Sequence, residues 1–202
     1  NEDVLRMALR KRTQLCTAYK SLGKNINPLM LVQIPNKKVN DIINPEDEII
    51  EFLSKEGLTI QNGKVALWLS ENHRNKEEVE VNDCPVEVLI FKEAIALGWD
   101  CPRAKILVKL REGGTERFNI QTVGRIRRMP LREHYDIDLI DNCYLYTLDS
   151  QFTEGLTSGL TDSFYTYQYR KKATAPNIML TKETLNGSDR FAVNPEAVVK
   201  VV

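Results

Sequence analysis

Residues 86–110 read VEVLIFKEAIALGWDCPRAKILVKL. Residues 86–91 and 105–110 are short, largely apolar runs, and between them residues 94–97 suit a helical turn that Gly98 ends, with Pro102 just beyond. Runs of this kind are tolerated where both faces of a strand are covered, since an uncovered face would leave hydrocarbon in water. Strand, helical turn and strand in succession predict a parallel pair inside an α/β sheet.

Working outward, residues 29–34, closed by Pro35-Asn36, and residues 64–69 repeat the apolar pattern, and residues 143–148 supply a last strand. Val4, Leu5, Ala8, Leu9, Leu15, Ala18 and Tyr19 fall at helical spacing, which predicts a helix over 3–22 with Gly23 at its end. An acidic start and Gly57 predict a second helix over 45–58, and residues 117–129 a third, stopped by Pro130. Residues 70–83 are polar and acidic and read as a loop. The expected fold is α/β, a parallel sheet with helices on both faces. A helix over 1–24 packs on or leads into the core, the α/β domain spans 25–149, and 150–202 form an extension. In that extension the pattern weakens, with a possible helix over 152–160 and an alternation of Tyr165, Tyr167 and Tyr169 that suits a strand packed against the core.

The chain has 202 residues, 28 Lys+Arg against 28 Asp+Glu, and 42% hydrophobic residues. That supports one ordinary core and no global positive field, so any contact with nucleic acid must come from a local patch. No apolar run approaches the length that spans a bilayer and no signal peptide opens the sequence, so a cytoplasmic location without a membrane partner is expected. Starting at Asn1, the sequence reads as a piece of a longer chain. Cys16, Cys84, Cys101 and Cys143 form no CxxC pair and read as buried or idle thiols, and His73 and His134 as surface residues, so no metal site is expected.

The chemistry-bearing stretch is Gln121-Thr122-Val123-Gly124-Arg125-Ile126-Arg127-Arg128. On a helix, Gln121, Arg125 and Arg128 fall at i, i+4 and i+7 and share one face, with Val123 and Ile126 free to face a core. Gly124 costs a helix interior about 0.5–1 kcal/mol relative to Ala, which suggests that backbone or ligand comes close there. Guanidinium forks suit the spreading charge of a transferring phosphoryl group. A solvated basic face paired with carboxylates has the same spacing. The second stretch is Lys92-Glu93-Ala94 followed by Gly98-Trp99-Asp100-Cys101-Pro102-Arg103-Ala104. It leaves the end of a buried strand, the edge at which open α/β sheets bind ligands. A helix C-terminus explains Gly98 and Pro102 but not Trp99-Asp100.

Residues 91–104 resemble motif V of superfamily 2 helicases, and residues 121–130 resemble motif VI, whose pattern Q-x-x-G-R-x-x-R is matched in full. The wording of both is similar to the restriction subunits of type III restriction enzymes, and residues 28–36 resemble motif IV. The resemblance covers about residues 28–148. It implies the second of two RecA-like domains of an ATP-dependent DNA motor, with Arg125 and Arg128 reaching the γ-phosphate of ATP. It places Gln121, Gly98, Asp100 and Gly124 on the nucleotide cleft, and the Asp100 carboxylate on the ribose or on one of the motif VI arginines, Arg125 or Arg128. Lys92 stands where many relatives carry Thr that touches the nucleic-acid backbone, and a Lys can still meet a phosphate as a point charge, although an exposed lysine at a strand end needs no such role; Asn36 and Lys37 are the other candidate backbone contacts.

No G-x-x-x-x-G-K-[ST] and no acidic DEAD-like box occurs in the sequence. The half that cradles ATP and Mg²⁺ is therefore expected in an N-terminal RecA-like domain, and these residues alone are expected to be inactive and to hold no cofactor. The implied partners are double-stranded DNA, that N-terminal domain and a modification methyltransferase subunit. Another superfamily 2 repair or defence motor, and a non-catalytic module that binds nucleic acid or protein, are the competing readings; the latter predicts that Arg125 and Arg128 are dispensable for turnover.

Overall fold

The computed structural model describes residues 2–36, 44–69, 72–92, 99–113, 116–149 and 152, with 116–120 described in backbone only. Gly98 and Lys37, the turn at 94–97 and the readings of 153–202 lie outside them. The described residues belong to one compact unit, built on a six-stranded sheet of order β3-β2-β4-β1-β5-β6. The strands are β1 (Leu29–Gln33), β2 (Val65–Trp68), β3 (His73–Arg74), β4 (Val88–Phe91), β5 (Ala104–Lys109) and β6 (Tyr144–Thr147). All neighbours are parallel except β2 and β3. The four runs read as strands from their apolar character, and the run at 143–148, thus lie in one sheet. The loop read over 70–83 instead carries β3, two exposed residues on the sheet edge.

Alternation along the strands sorts the side chains onto two faces. Met30, Val32, Val88, Ile90, Ile106 and Val108 bury one face under α1 (Glu2–Ser21) and α2 (Pro45–Lys55). Leu29, Leu31, Leu89, Phe91 and Leu107 bury the other against Val123 and Ile126 of α3 (Glu116–Ile126). The opening helix is thus part of the core, through Leu5, Ala8 and Leu15. In α2, Asn44 caps the N-terminus by accepting from the Glu46 amide. Gly57, at φ +75°, lets the Gly57 amide reach the Ser54 carbonyl and the Leu58 amide the Leu53 carbonyl, which closes the helix and buries Leu58.

The buried lysines of β5 have specific partners. Lys109 Nζ, at the carboxyl end of β5, donates to Asp149 Oδ2 at 2.8 Å, and the pair is almost fully buried. Asp149 also accepts from the amides of Gly113 and Phe152. The hydrogen bond from Lys109 holds the Asp149 carboxyl below its ordinary value. A depressed folded pKa means that the gain is complete above the unfolded value, about 4, and is lost as pH falls through the folded value. Asp149→Asn is expected to cost about 3–5 kcal/mol at neutral pH, for the broken buried pair, and to lose less further stability than wild type between about pH 5 and pH 2. Urea melts across that window check both; parallel acid curves for the two proteins contradict the assignment.

Two short elements follow α3: a single turn at Pro130–Arg132 and α4 (Asp138–Asp141). Neither is anticipated by apolar periodicity, because each is too short to show one. No helix among the described residues is long and apolar enough to cross a membrane.

Candidate functional site

Strand direction places the site. In the register of the sheet, Phe91 of β4 and Lys109 of β5 both lie beside Gln33, while Ala104 lies beside Leu29. The chain leaves β4 at the carboxyl edge and must cross back before β5 begins, so Trp99 to Arg103 stand at the amino edge. This corrects the expectation that the Trp99-Asp100 segment occupies the carboxyl edge: a parallel crossover returns the chain to the opposite end of its neighbour. Lys92, one residue past β4, does lie at the carboxyl edge. Its ammonium is 3.8 Å from Glu46, and its carbonyl accepts from Arg111 at 3.2 Å. Asn36 follows β1 and is exposed.

Two buried groups hold the amino-edge segment. Trp99 packs edge-on against Trp68, with ring centroids 5.9 Å apart, so it is a core residue whose backbone carries Asp100 at the surface. Arg103 is fully buried; its Nε donates to the Val79 carbonyl at 2.8 Å, and its Nη1 to the carbonyls of Asn27 and Val86 at 2.7 and 2.9 Å. Those bonds tie together the segments entering β1, β4 and β5. Cys101 is buried as well, and burial pushes its thiol up to about 12, which makes it inert at neutral pH.

Residues 121–128 come to the same edge. The helix ends at Ile126, three residues before the predicted boundary, so Arg128 is not on the face shared by Gln121 and Arg125. The cause is Pro130: the residue before a proline disfavours helical geometry, and Met129 is extended at φ −102°, ψ 125°. Unwinding carries Arg128 across to Asp100, with which it forms an ion pair. Arg125, one turn back, donates from Nη1 to the Trp99 carbonyl at 3.1 Å. Burial, and then the neighbouring charge of Arg128, lower the Arg125 pKa. Both stretches therefore meet through two arginines, one on the backbone of Trp99 and one on the carboxylate of Asp100.

Both members of the Arg128–Asp100 pair are about half exposed. Such pairs contribute about 0–1 kcal/mol, so exchange of the carboxylate for a phosphate costs the fold little. Gln121 and Gly124 are exposed on α3. A Cβ at Gly124 would meet no atom within 4 Å, so the close approach by the chain's own backbone expected at this glycine is not found.

Asp100 and Arg128 line a cavity of about 410 Å³ together with Pro102, Met129, Arg132 and His134. Sequence reading missed Arg132 and set His134 aside as a lone surface residue; His134 is exposed, as expected, and also lines this cavity. The available signal was position alone, two polar residues within four of Pro130. Behind the cavity, Lys105 is fully buried with Nζ 3.4 Å from the Met129 sulfur, and burial lowers its pKa. Among the described residues no three His, Cys, Asp or Glu side chains converge as metal ligands. No family model matches the chain, and no curated protein does.

Proposed function

We propose that the chain is the second RecA-like domain of a superfamily 2 DNA motor, similar to the restriction subunits of type III restriction enzymes, and that its amino-edge arginines complete an ATP site held mainly by another domain. The observation that carries this reading is the meeting of Arg125 and Arg128 with Trp99-Asp100 beside an open cavity. The two segments that resemble motifs V and VI lie 26 and 28 residues apart at these contacts, Trp99 to Arg125 and Asp100 to Arg128. Nothing in a generic solvated basic face requires them to converge. The mostly parallel sheet with helices on both faces is compatible with the RecA-like class.

In this reading the chain's contribution is electrostatic. Charge spreads over the equatorial oxygens as a γ-phosphoryl group transfers, and a fixed guanidinium stabilises it without proton transfer. Arg128 is held by Asp100 weakly enough to turn onto phosphate; Arg125, half-buried and tied to the Trp99 carbonyl, keeps the loop in place and adds positive potential. Gln121 and the bare backbone at Gly124 face outward, where a partner domain can close on them. Mg²⁺ would be held by that partner and supply charge neutralisation on the phosphates. Lys92, Asn36 and Lys37 follow strands β4 and β1, and phosphates of double-stranded DNA are their proposed ligands, with sequence recognition left to a methyltransferase subunit. A cytoplasmic location follows from this role.

The test is Asp100→Asn in a protein that carries both halves of the motor. Loss of the carboxylate that positions Arg128 is expected to reduce DNA-stimulated ATP turnover about tenfold, the range for one charged hydrogen bond. The chain's melting should stay unchanged. Full turnover in a folded Asp100→Asn protein contradicts the proposal.

A further inference from the structure

The segment after Met129 is bent in a way that ordinary residues resist. Leu131 and Arg132 stand consecutively in the left-handed region, at φ 60° and 55°, where an L side chain is strained. The result is that Leu131, a large apolar residue, is turned out to solvent at 49% exposure, while Arg132 and His134 line the cavity that also holds Arg128. Strain of this kind persists where the surrounding structure enforces it, and it collects at ligand sites. Among the described residues, Arg132 has no carboxylate partner.

The charge balance of the cavity points to the ligand. Two guanidiniums, Arg128 and Arg132, face a single carboxylate, Asp100, and the Lys105 ammonium sits behind Met129 with a thioether as its hydrogen-bond acceptor. Of the carboxylates next to these residues, Glu133 is paired with Lys24 at 2.7 Å, and Asp141 is 3.9 Å from His134 Nδ1 and is already engaged by the amides of Tyr135 and Ile137. An excess of cations lining a concave site favours an anion with several oxygens.

We propose that Arg132 and His134 form, with Arg128, a subsite for the phosphate chain of a nucleotide, in which Arg132 contacts a phosphate that Arg128 does not reach alone. The anion site stands on the cavity itself; its assignment to a nucleotide rests on the motor reading above. Arg132 supplies a fork of N–H donors to two oxygens, and His134 donates to a third.

The experiment titrates inorganic pyrophosphate into the 202-residue chain and follows the Arg Nε–H and His side-chain resonances by NMR, with a short DNA duplex as the second probe. Pyrophosphate is expected to shift Arg128, Arg132 and His134 together. Arg132→Ala should weaken its binding about tenfold or more, the range for a charged hydrogen bond. Arg132→Lys, a charge without the fork, should fall between the two, and Lys55→Ala, which removes a remote exposed cation, should leave binding unchanged. Backbone resonances outside residues 127–135 show whether each variant keeps its fold. Equal pyrophosphate affinity in wild type and Arg132→Ala overturns the subsite. So does a response of these residues to duplex but not to pyrophosphate, which makes them a nucleic-acid contact. If pyrophosphate binds through Arg132 while Arg128 proves dispensable for ATP turnover in the larger protein, the subsite stands and the motor reading falls.

Discussion

Arg103→Ala is expected to cost the fold about 3 kcal/mol or more, the largest stability loss of any single truncation in the amino-edge segment. The side chain is fully buried and donates to three backbone carbonyls. Removing it leaves those carbonyls without partners in the interior, at about 1–3 kcal/mol each, and opens a void the size of a long side chain. Part of that loss is offset, because burial already disfavours the guanidinium, as its lowered pKa reflects, and Nη2 has no partner. Against a total stability of about 5–15 kcal/mol, the remainder is enough to drop the urea midpoint severely. A Lys at this position has one charged group where three acceptors diverge, so Arg103→Lys should recover little. A stability within about 0.5 kcal/mol of wild type would mean that the Val79, Asn27 and Val86 segments do not depend on Arg103.

How much of this was legible in the sequence follows from the physics of each element. The strands at 29–34, 64–69, 86–91, 105–110 and 143–148 appear within about two residues of their places: the first four are mostly buried and largely apolar because both faces are covered, while β6 is half-buried along its length. The opening helix was equally visible, since its buried stripe has the 3.6-residue period. The end of α3 was not. Arginines at helical spacing run on to Arg128, and only the local restriction that Pro130 places on Met129 ends the helix at Ile126. Strand β3 is two polar residues held by its neighbour β2, and no pattern in two residues can announce it.

The candidate site was legible as a partnership and misplaced as a location. That Asp100 pairs with an arginine of residues 121–128 follows from the cost of a lone charge in a cleft, and Arg128 is that arginine. Its edge of the sheet was misread because the local cue, a polar segment after a strand, says nothing about how far the chain travels before the next one. Trp99 was counted as unexplained until Trp68, distant in sequence, supplied its packing partner. Arg103, Lys105 and Lys109 are charged types that composition assigns to the surface; only tertiary partners reveal that all three are buried.

The central claim is that Arg128 acts on a nucleotide, and the most direct measurement is DNA-stimulated ATP turnover by the protein carrying both motor halves, comparing wild type with Arg128→Ala and Arg125→Ala. Arg128 is about half exposed and its pair with Asp100 lies at the surface, so its removal should shift stability by no more than about 1 kcal/mol. Arg125 is half-buried against the Trp99 carbonyl, and its loss should add a modest folding cost that must be checked by melting. The account predicts that turnover by the folded Arg128→Ala protein falls about 10³-fold or more while ATP binding largely survives, because a finger arginine acts on charge that develops only during transfer. Turnover within about twofold of wild type, far short of the 10²–10³-fold loss expected on removing one preorganised donor, would contradict it and leave the amino-edge arginines as a binding surface.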